Sequence, residues 1–276
     1  MTSFIDRPTA TGSARLAYEV RGDGPLVVTM PGMGDLRSAD TALADALVAD
    51  GFRVASLDHR NAGDSDHGFD ALGDEPAASD YLALVEELGG GPAVLVGTSM
   101  AASAAIVAAA ERPDLVRALV LLSPFVRNGG GNPALARAMY RVLFARPWGV
   151  AMWASYYRST LNRGTAPADH AEHVAAIRAA MSRPGRLADF RRLMLVLDHA
   201  PAEARVGRVH APVLAVIGAL DPDYRDPAAE LAHVGEVLPG ARTMLVEEAA
   251  HYPHRQRPEL VLPAVRAFVA EVAARA

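Results

Sequence analysis

The chain has 276 residues, 51% of them hydrophobic and 21% charged, with a formal net charge of −5. That balance suits a globular chain with a sizeable core and leaves out the clustered basic face that nucleic-acid binding needs. There is no cysteine, which excludes a disulfide framework, a thiolate metal site and a cysteine nucleophile. The opening MTSFIDRPTATGS lacks the basic and apolar regions of a secretory signal, and no apolar run reaches the roughly 18 residues needed to cross a bilayer. The expectation is therefore a soluble, cytoplasmic protein with a small-molecule substrate and no nucleic-acid or membrane partner; a homodimer is compatible with the sequence.

In chain order, Arg15 to Val20 and Leu26 to Met30 read as strands joined by the turn-like RGDGP, an antiparallel start. Ser38 to Ala49 has helical spacing and stops at Gly51, and Arg53 to Asp58 is the next strand. Ser79 to Leu88 reads as a helix ended by Gly89, Ala93 to Val96 as a strand, Met100 to Glu111 as a helix, and Ala118 to Ser123 as a strand. These strands are apolar without alternation, as expected where both sheet faces are covered, and their alternation with helices implies a mainly parallel sheet built from right-handed crossovers.

From about Asn128 to Val206 the alternation stops. NGGGNP opens this stretch, with Gly129 to Gly131 read as a hinge, and four helices follow over Pro133 to Phe144, Trp148 to Tyr157, Pro167 to Met181 and Pro184 to Asp198. The arginines from Arg186 to Arg192 read as a solvated helix face. Trp148, Trp153, Tyr156 and Tyr157 fall in this stretch, either as the apolar lining of a substrate pocket or as the packing that holds the helices together. The predicted organisation is a core of residues 1–127 and 206–276 with a helical cap, residues 128–205, inserted between two strands. Val213 to Ile217 and Arg242 to Val246 are the last strands, and Pro258 to Ala274 is the C-terminal helix.

Chemistry concentrates at three strand ends. VLVGTSMAA runs a strand through Gly97 into Ser99 and straight into a helix, the pattern of a nucleophile elbow, in which a serine sits on a strained turn above the sheet. Small residues must flank it because strand and helix pass close together; Gly97 supplies one, and Ala101 stands where a second glycine is usual. A serine hydroxyl needs an imidazole to take its proton and a carboxylate to orient that imidazole. GALDPD places Asp221 just past the strand ending at Ile217, and EEAAHYPH places His251 past the strand ending at Val246. Open α/β sheets build their sites at this edge. Asp223, two residues on, is an alternative acid.

The order Ser99, Asp221, His251, together with PGMGD at 31–35, DHRNAGDSD at 58–66, ERPDLVRALVLLSP and HYPHRQRPE, resembles the α/β-hydrolase superfamily over about Ala14 to Ala273. The resemblance implies that Asp221 is the acid and that the backbone N–H groups of Met33 and Met100 form an oxyanion hole. Pro31 replaces the histidine of the family's HGxG, and Asn61 replaces the first glycine of its DxRGxGxSD stretch, a position where asparagine tolerates positive φ; that stretch marks the fold and is not expected to be catalytic. The implied activity is hydrolysis of a carboxylic ester, lactone or thioester of a mostly apolar small molecule through an acyl-enzyme. The same three residues would serve a C–C bond hydrolase or a perhydrolase, and the departures at Pro31 and Ala101 keep a non-turnover ligand-binding or biosynthetic auxiliary role in view. Serine at the elbow argues against the dehalogenase and epoxide hydrolase branches, and the methionine after it against the iminopeptidase branch. No cofactor is expected, since neither a dinucleotide fingerprint nor a P-loop is present. No metal is expected either: His251 with His254, and His170 with His173, have ligand-like spacing but no evident third ligand. His59 is expected to have a packing or solvent role.

Overall fold

The computed structural model describes residues 1–89, 91–129 and 133–275. Eight strands form one sheet: β1 (Thr2–Thr9), β2 (Gly12–Arg21), β3 (Leu26–Met30), β4 (Arg53–Leu57), β5 (Ala93–Thr98), β6 (Val116–Leu122), β7 (Val213–Gly218) and β8 (Arg242–Val246), in the order β1-β2-β4-β3-β5-β6-β7-β8. All pairings from β4 to β8 are parallel, and β2 runs antiparallel to both β1 and β4. The predicted antiparallel start therefore needs correcting in one respect, because β2 and β3 are not neighbours and β4 lies between them. The linking turn crosses the backbone that leads into β4, and a Cβ on Gly22 would lie 2.2 Å from the Phe52 carbonyl oxygen. Strand β1, an edge strand of mixed polarity, was not expected from the sequence.

Helices α1 (Thr41–Ala49) and α11 (Pro258–Ala274) cover one face, while α2 (Asp74–Leu88), α3 (Met100–Glu111) and α9 (Pro227–Val237) cover the other. Successive residues of β5 go to opposite clusters, Leu95 to the α3 side and Val94 and Val96 to the α11 side, which is why the strand is apolar throughout. Helix α3 is buried from Met100 to Ala110; its alanines allow the close approach that larger side chains would block. At the putting-down point of the helix on its own strand, a Cβ on Gly97 would lie 2.4 Å from the Ala101 carbonyl oxygen, whereas Ala101 itself fits fully buried in the core.

Between β6 and β7 lie α4 (Pro133–Leu143), α5 (Gly149–Tyr156) continuing into a π-turn at Tyr157–Leu161, α6 (His170–Ser182), α7 (Arg186–Val196) and the short α8 (Ala200–Glu203). They match the four expected helices to within a few residues at each end. The expected hinge falls, apart from Gly129, outside the described residues. The short α10 (Pro253–Gln256) precedes α11. These inserted helices have a core of their own, with Phe144, Trp153, Ile177, Met181, Leu187 and Phe190 packed together, and this core also takes in Tyr252 from the sheet side and abuts Met33 and Leu36. No helix among the described residues is long and apolar enough to cross a membrane.

Candidate active site

Ser99 stands between β5 and α3 at φ 58°, ψ −123°, a strained backbone that a non-glycine residue holds only where its surroundings enforce it. They do so here: the Ser99 N–H donates to the Leu122 carbonyl at 2.8 Å, the Ser99 carbonyl accepts from the Ala102 N–H at 2.9 Å, and Gly97 leaves room for the chain to double back. The result is the elbow expected from GTSMA, with the serine 8% exposed at the C-terminal edge of the sheet.

Asp221 and His251 meet in the loops after β7 and β8. His251 Nδ1 lies 3.0 and 2.9 Å from the two Asp221 carboxylate oxygens, and Asp221 is fully buried. With Nδ1–H donated to Asp221, Nε2 is the ring nitrogen left for proton transfer. Asp223 lies 3.4 Å from the same Nδ1, and its carboxylate accepts from the Tyr156 hydroxyl at the end of α5 at 3.1 Å. Asp221 thus makes the two closer contacts, with Asp223 as an outer carboxylate. Burial pushes the imidazole's pKa down, but attraction to Asp221 and then Asp223, with the hydrogen bond to Asp221, outweighs it and lifts the value to about 9. The loops hold this pair by close backbone approach: a Cβ on Gly218 would lie 2.1 Å from the Ala250 carbonyl, and the His251 N–H donates to Leu161 of the π-turn at 3.0 Å. The hydrogen bonds of the described residues include none between Ser99 and His251; such contacts commonly tighten only with substrate in place.

The backbone N–H groups of Met33 and Met100 make no hydrogen bond among the described residues, leaving two donors beside Ser99. The loop that carries Met33 is fixed without the histidine that Pro31 replaces. His59 Nε2 is 2.7 Å from the Pro31 carbonyl, and burial pushes this imidazole's pKa down, so the neutral ring donates its N–H there. His59 is therefore a support for this loop as well as a packed residue. At the loop's other end the buried Asp35 pairs with His173 Nε2 at 2.6 Å and accepts from the Tyr157 hydroxyl at 2.8 Å; that hydroxyl accepts from Arg255, which also binds Asp169. Burial raises the Asp35 carboxyl's pKa, yet the facing His173 and Arg255 hold it below the ordinary range. Nothing in the sequence paired Asp35 with residues over a hundred positions away.

The four aromatics separate. Trp153 is buried, with its indole N–H donated to the Gly34 carbonyl at 2.9 Å, and Tyr156 reaches Asp223. Tyr157 is fully buried in the Asp35 network. Trp148 is 48% exposed and donates to the Val142 carbonyl, so it is not brought to the site. His170 Nε2 meets the Arg158 carbonyl, and His254 faces Asp40 at 3.3 Å, so the histidine pairs with ligand-like spacing go to separate partners. Among the described residues the one group able to offer three ligand atoms within 4.8 Å of each other is Asp221, Asp223 and His251. The DHRNAGDSD stretch folds around Asp58, which pairs with Arg37 and accepts from the Asp64 N–H at 3.0 Å; Asn61 sits at φ 61° and bridges to Phe69 in both directions. A further imidazole–carboxylate pair, His199 with Asp74 at 3.1 Å, has its imidazole stacked on Phe125 and was not foreseen.

With an elbow serine, an imidazole–carboxylate pair and free backbone donors at one edge of a doubly covered sheet, the architecture is that of the α/β hydrolases. The sequence profile of the α/β-hydrolase fold matches residues 25–258, and the chain belongs to that family. It is 28% identical to the 2-(acetamidomethylene)succinate hydrolase of Mesorhizobium japonicum, over 96% of this chain and 95% of that one. Its fold is shared with an esterase from Thermogutta terrifontis, at a TM-score of 0.79 and 23% identity over 99% of both chains. A bromoperoxidase from Bacillus anthracis also superposes with a TM-score of 0.79, at 17% identity over 97% of this chain and all of that one.

Proposed function

We propose that the protein is a serine hydrolase that cleaves a carboxylic ester, lactone or thioester of a mostly apolar small molecule, with Ser99 as nucleophile, His251 as general base and acid, and Asp221 as its orienting carboxylate. The observation that carries this reading is the strained elbow of Ser99 at the same sheet edge as the His251–Asp221 pair. Ser99 Oγ adds to the carbonyl carbon as His251 Nε2 takes its proton; the oxyanion is held by the N–H groups of Met33 and Met100; His251 then protonates the leaving group, and water, deprotonated by the same nitrogen, releases the acyl chain. Residues 128–205 act as a cap over a core of 1–127 and 206–276. Its buried aromatics, close against the Met33 loop, favour an apolar substrate.

A fluorophosphonate probe tests the assignment. It should label the native chain and fail to label Ser99→Ala, and p-nitrophenyl esters of increasing acyl length should then define the preference. Labelling that survives the substitution would remove Ser99 from its role. Labelling lost together with no turnover of any ester, lactone or thioester would move the reading to C–C bond hydrolysis or to ligand binding without turnover.

A further inference from the structure

Tyr252, the residue after His251, has a hydroxyl that the mechanism above leaves unused. The other fully buried tyrosines spend theirs within the protein, Tyr81 on the Val96 carbonyl and Tyr157 on Asp35. Tyr252 is nearly as enclosed, at 1% exposure, but among the hydrogen bonds of the described residues none involves its hydroxyl. This oxygen is not one of the polar atoms sealed away from solvent, so the small surface that the residue presents includes its hydroxyl, a donor that faces open space instead of a protein partner.

Its position is fixed by the rings around it. Tyr252 lies edge-on to the His251 imidazole, with centroids 5.3 Å apart, and against Tyr157 at 4.9 Å. Gly32, in the loop that carries Met33, gives the scale: a Cβ built there would lie 3.2 Å from the Tyr252 hydroxyl and 3.4 Å from the Ser99 Cβ. The phenol and the serine thus flank the same empty point, one residue from a free Met33 N–H, and glycine keeps that point open.

We propose that Tyr252 is a further catalytic residue, its O–H donating a hydrogen bond to the substrate oxygen that becomes negatively charged when Ser99 attacks. The inference rests on the serine hydrolase reading. When Ser99 Oγ bonds to the carbonyl carbon, the π pair moves onto the carbonyl oxygen and the serine proton goes to His251; Tyr252 keeps its own proton and supplies a third donor beside the two N–H groups. Burial and the nearby Asp35 charge push its pKa well above that of free tyrosine, which keeps the phenol protonated. It adds a side-chain donor to a loop in which proline stands at position 31.

Tyr252→Phe removes this one oxygen. On the best ester of the p-nitrophenyl series, kcat should fall on the order of 100-fold with KM nearly constant, and the affinity for an alkyl trifluoromethyl ketone, which forms a tetrahedral adduct with Ser99, should fall by the same factor. A role confined to packing would not move the ketone affinity and kcat in parallel. Gly32→Ala, which leaves the phenol in place but puts a methyl between it and Ser99, should act in the same direction and provides the test if Tyr252→Phe fails to fold. A folded Tyr252→Phe with kcat and ketone affinity within twofold of the native values overturns the proposal, as does a folded Gly32→Ala with native values where only that variant can be measured. Native protein that the fluorophosphonate does not label would instead overturn the serine hydrolase reading itself.

Discussion

His251 is pulled in two directions, and its pH behaviour follows from which pull is stronger. Burial favours the neutral ring, while Asp221 and Asp223 favour the cation and prevail, lifting the pKa to about 9. General-base catalysis needs the neutral ring, so kcat/KM should climb with pH towards 9 instead of levelling off near 7. Asp223→Asn removes one of the two attracting charges and leaves Asp221 in place; the acid limb of the pH–rate profile should move to lower pH, and a limb that stays put would show that Asp223 has no hold on the imidazole. The stability linkage has the opposite sense. A folded pKa above the unfolded one means that the ion pair's stabilisation is complete below about 6.5 and is lost as pH rises through about 9. Asp35 is a second case of a charge that is tolerated only because it is paired. Asp35→Asn leaves the buried His173 without its anion and Arg255 with Asp169 alone, and chemical denaturation should show a loss of about 3 kcal/mol.

At the level of elements, the crossing of β5 with α3 sets the serine's geometry. Gly97→Ala would force the added methyl into the Ala101 backbone; denaturant melts should record a loss of about 3 kcal/mol, together with reduced fluorophosphonate labelling, since the elbow must shift. The contrast with Ala101 shows what could and could not be read beforehand. That the elbow existed, and that Ser99, Asp221 and His251 followed strands at one edge of the sheet, was legible because apolar runs closed by glycine and aspartate mark parallel strand ends. Strands β3, β5, β7 and β8 and helices α3 and α11 lie within a residue or two of where the pattern put them. Elements with weak patterns escaped, among them β1, whose sequence TSFIDRPT shows no polar–apolar alternation, and α9, between β7 and β8. The Asp35 network, the His199–Asp74 pair and the free hydroxyl of Tyr252 were out of reach for another reason: each depends on how the inserted helices seat on the sheet, which no local spacing encodes.

Across the whole molecule, the seating of those helices can be followed by its two indoles. Trp153 is buried on the Gly34 carbonyl and Trp148 is half exposed, so in a Trp148→Phe variant the remaining emission should resist iodide quenching; strong quenching would mean that the inserted helices stand away from the sheet in solution. The long intervals along the chain between the three proposed catalytic residues carry a consequence for biosynthesis. Ser99 is translated well before His251, whose loop follows the last strand to join the sheet, and at about 5–20 residues per second that gap lasts on the order of ten seconds. On the proposed mechanism, a ribosome-bound chain displays the Ser99 hydroxyl before the imidazole that would activate it has been made, and chemical competence waits for the loop that brings His251.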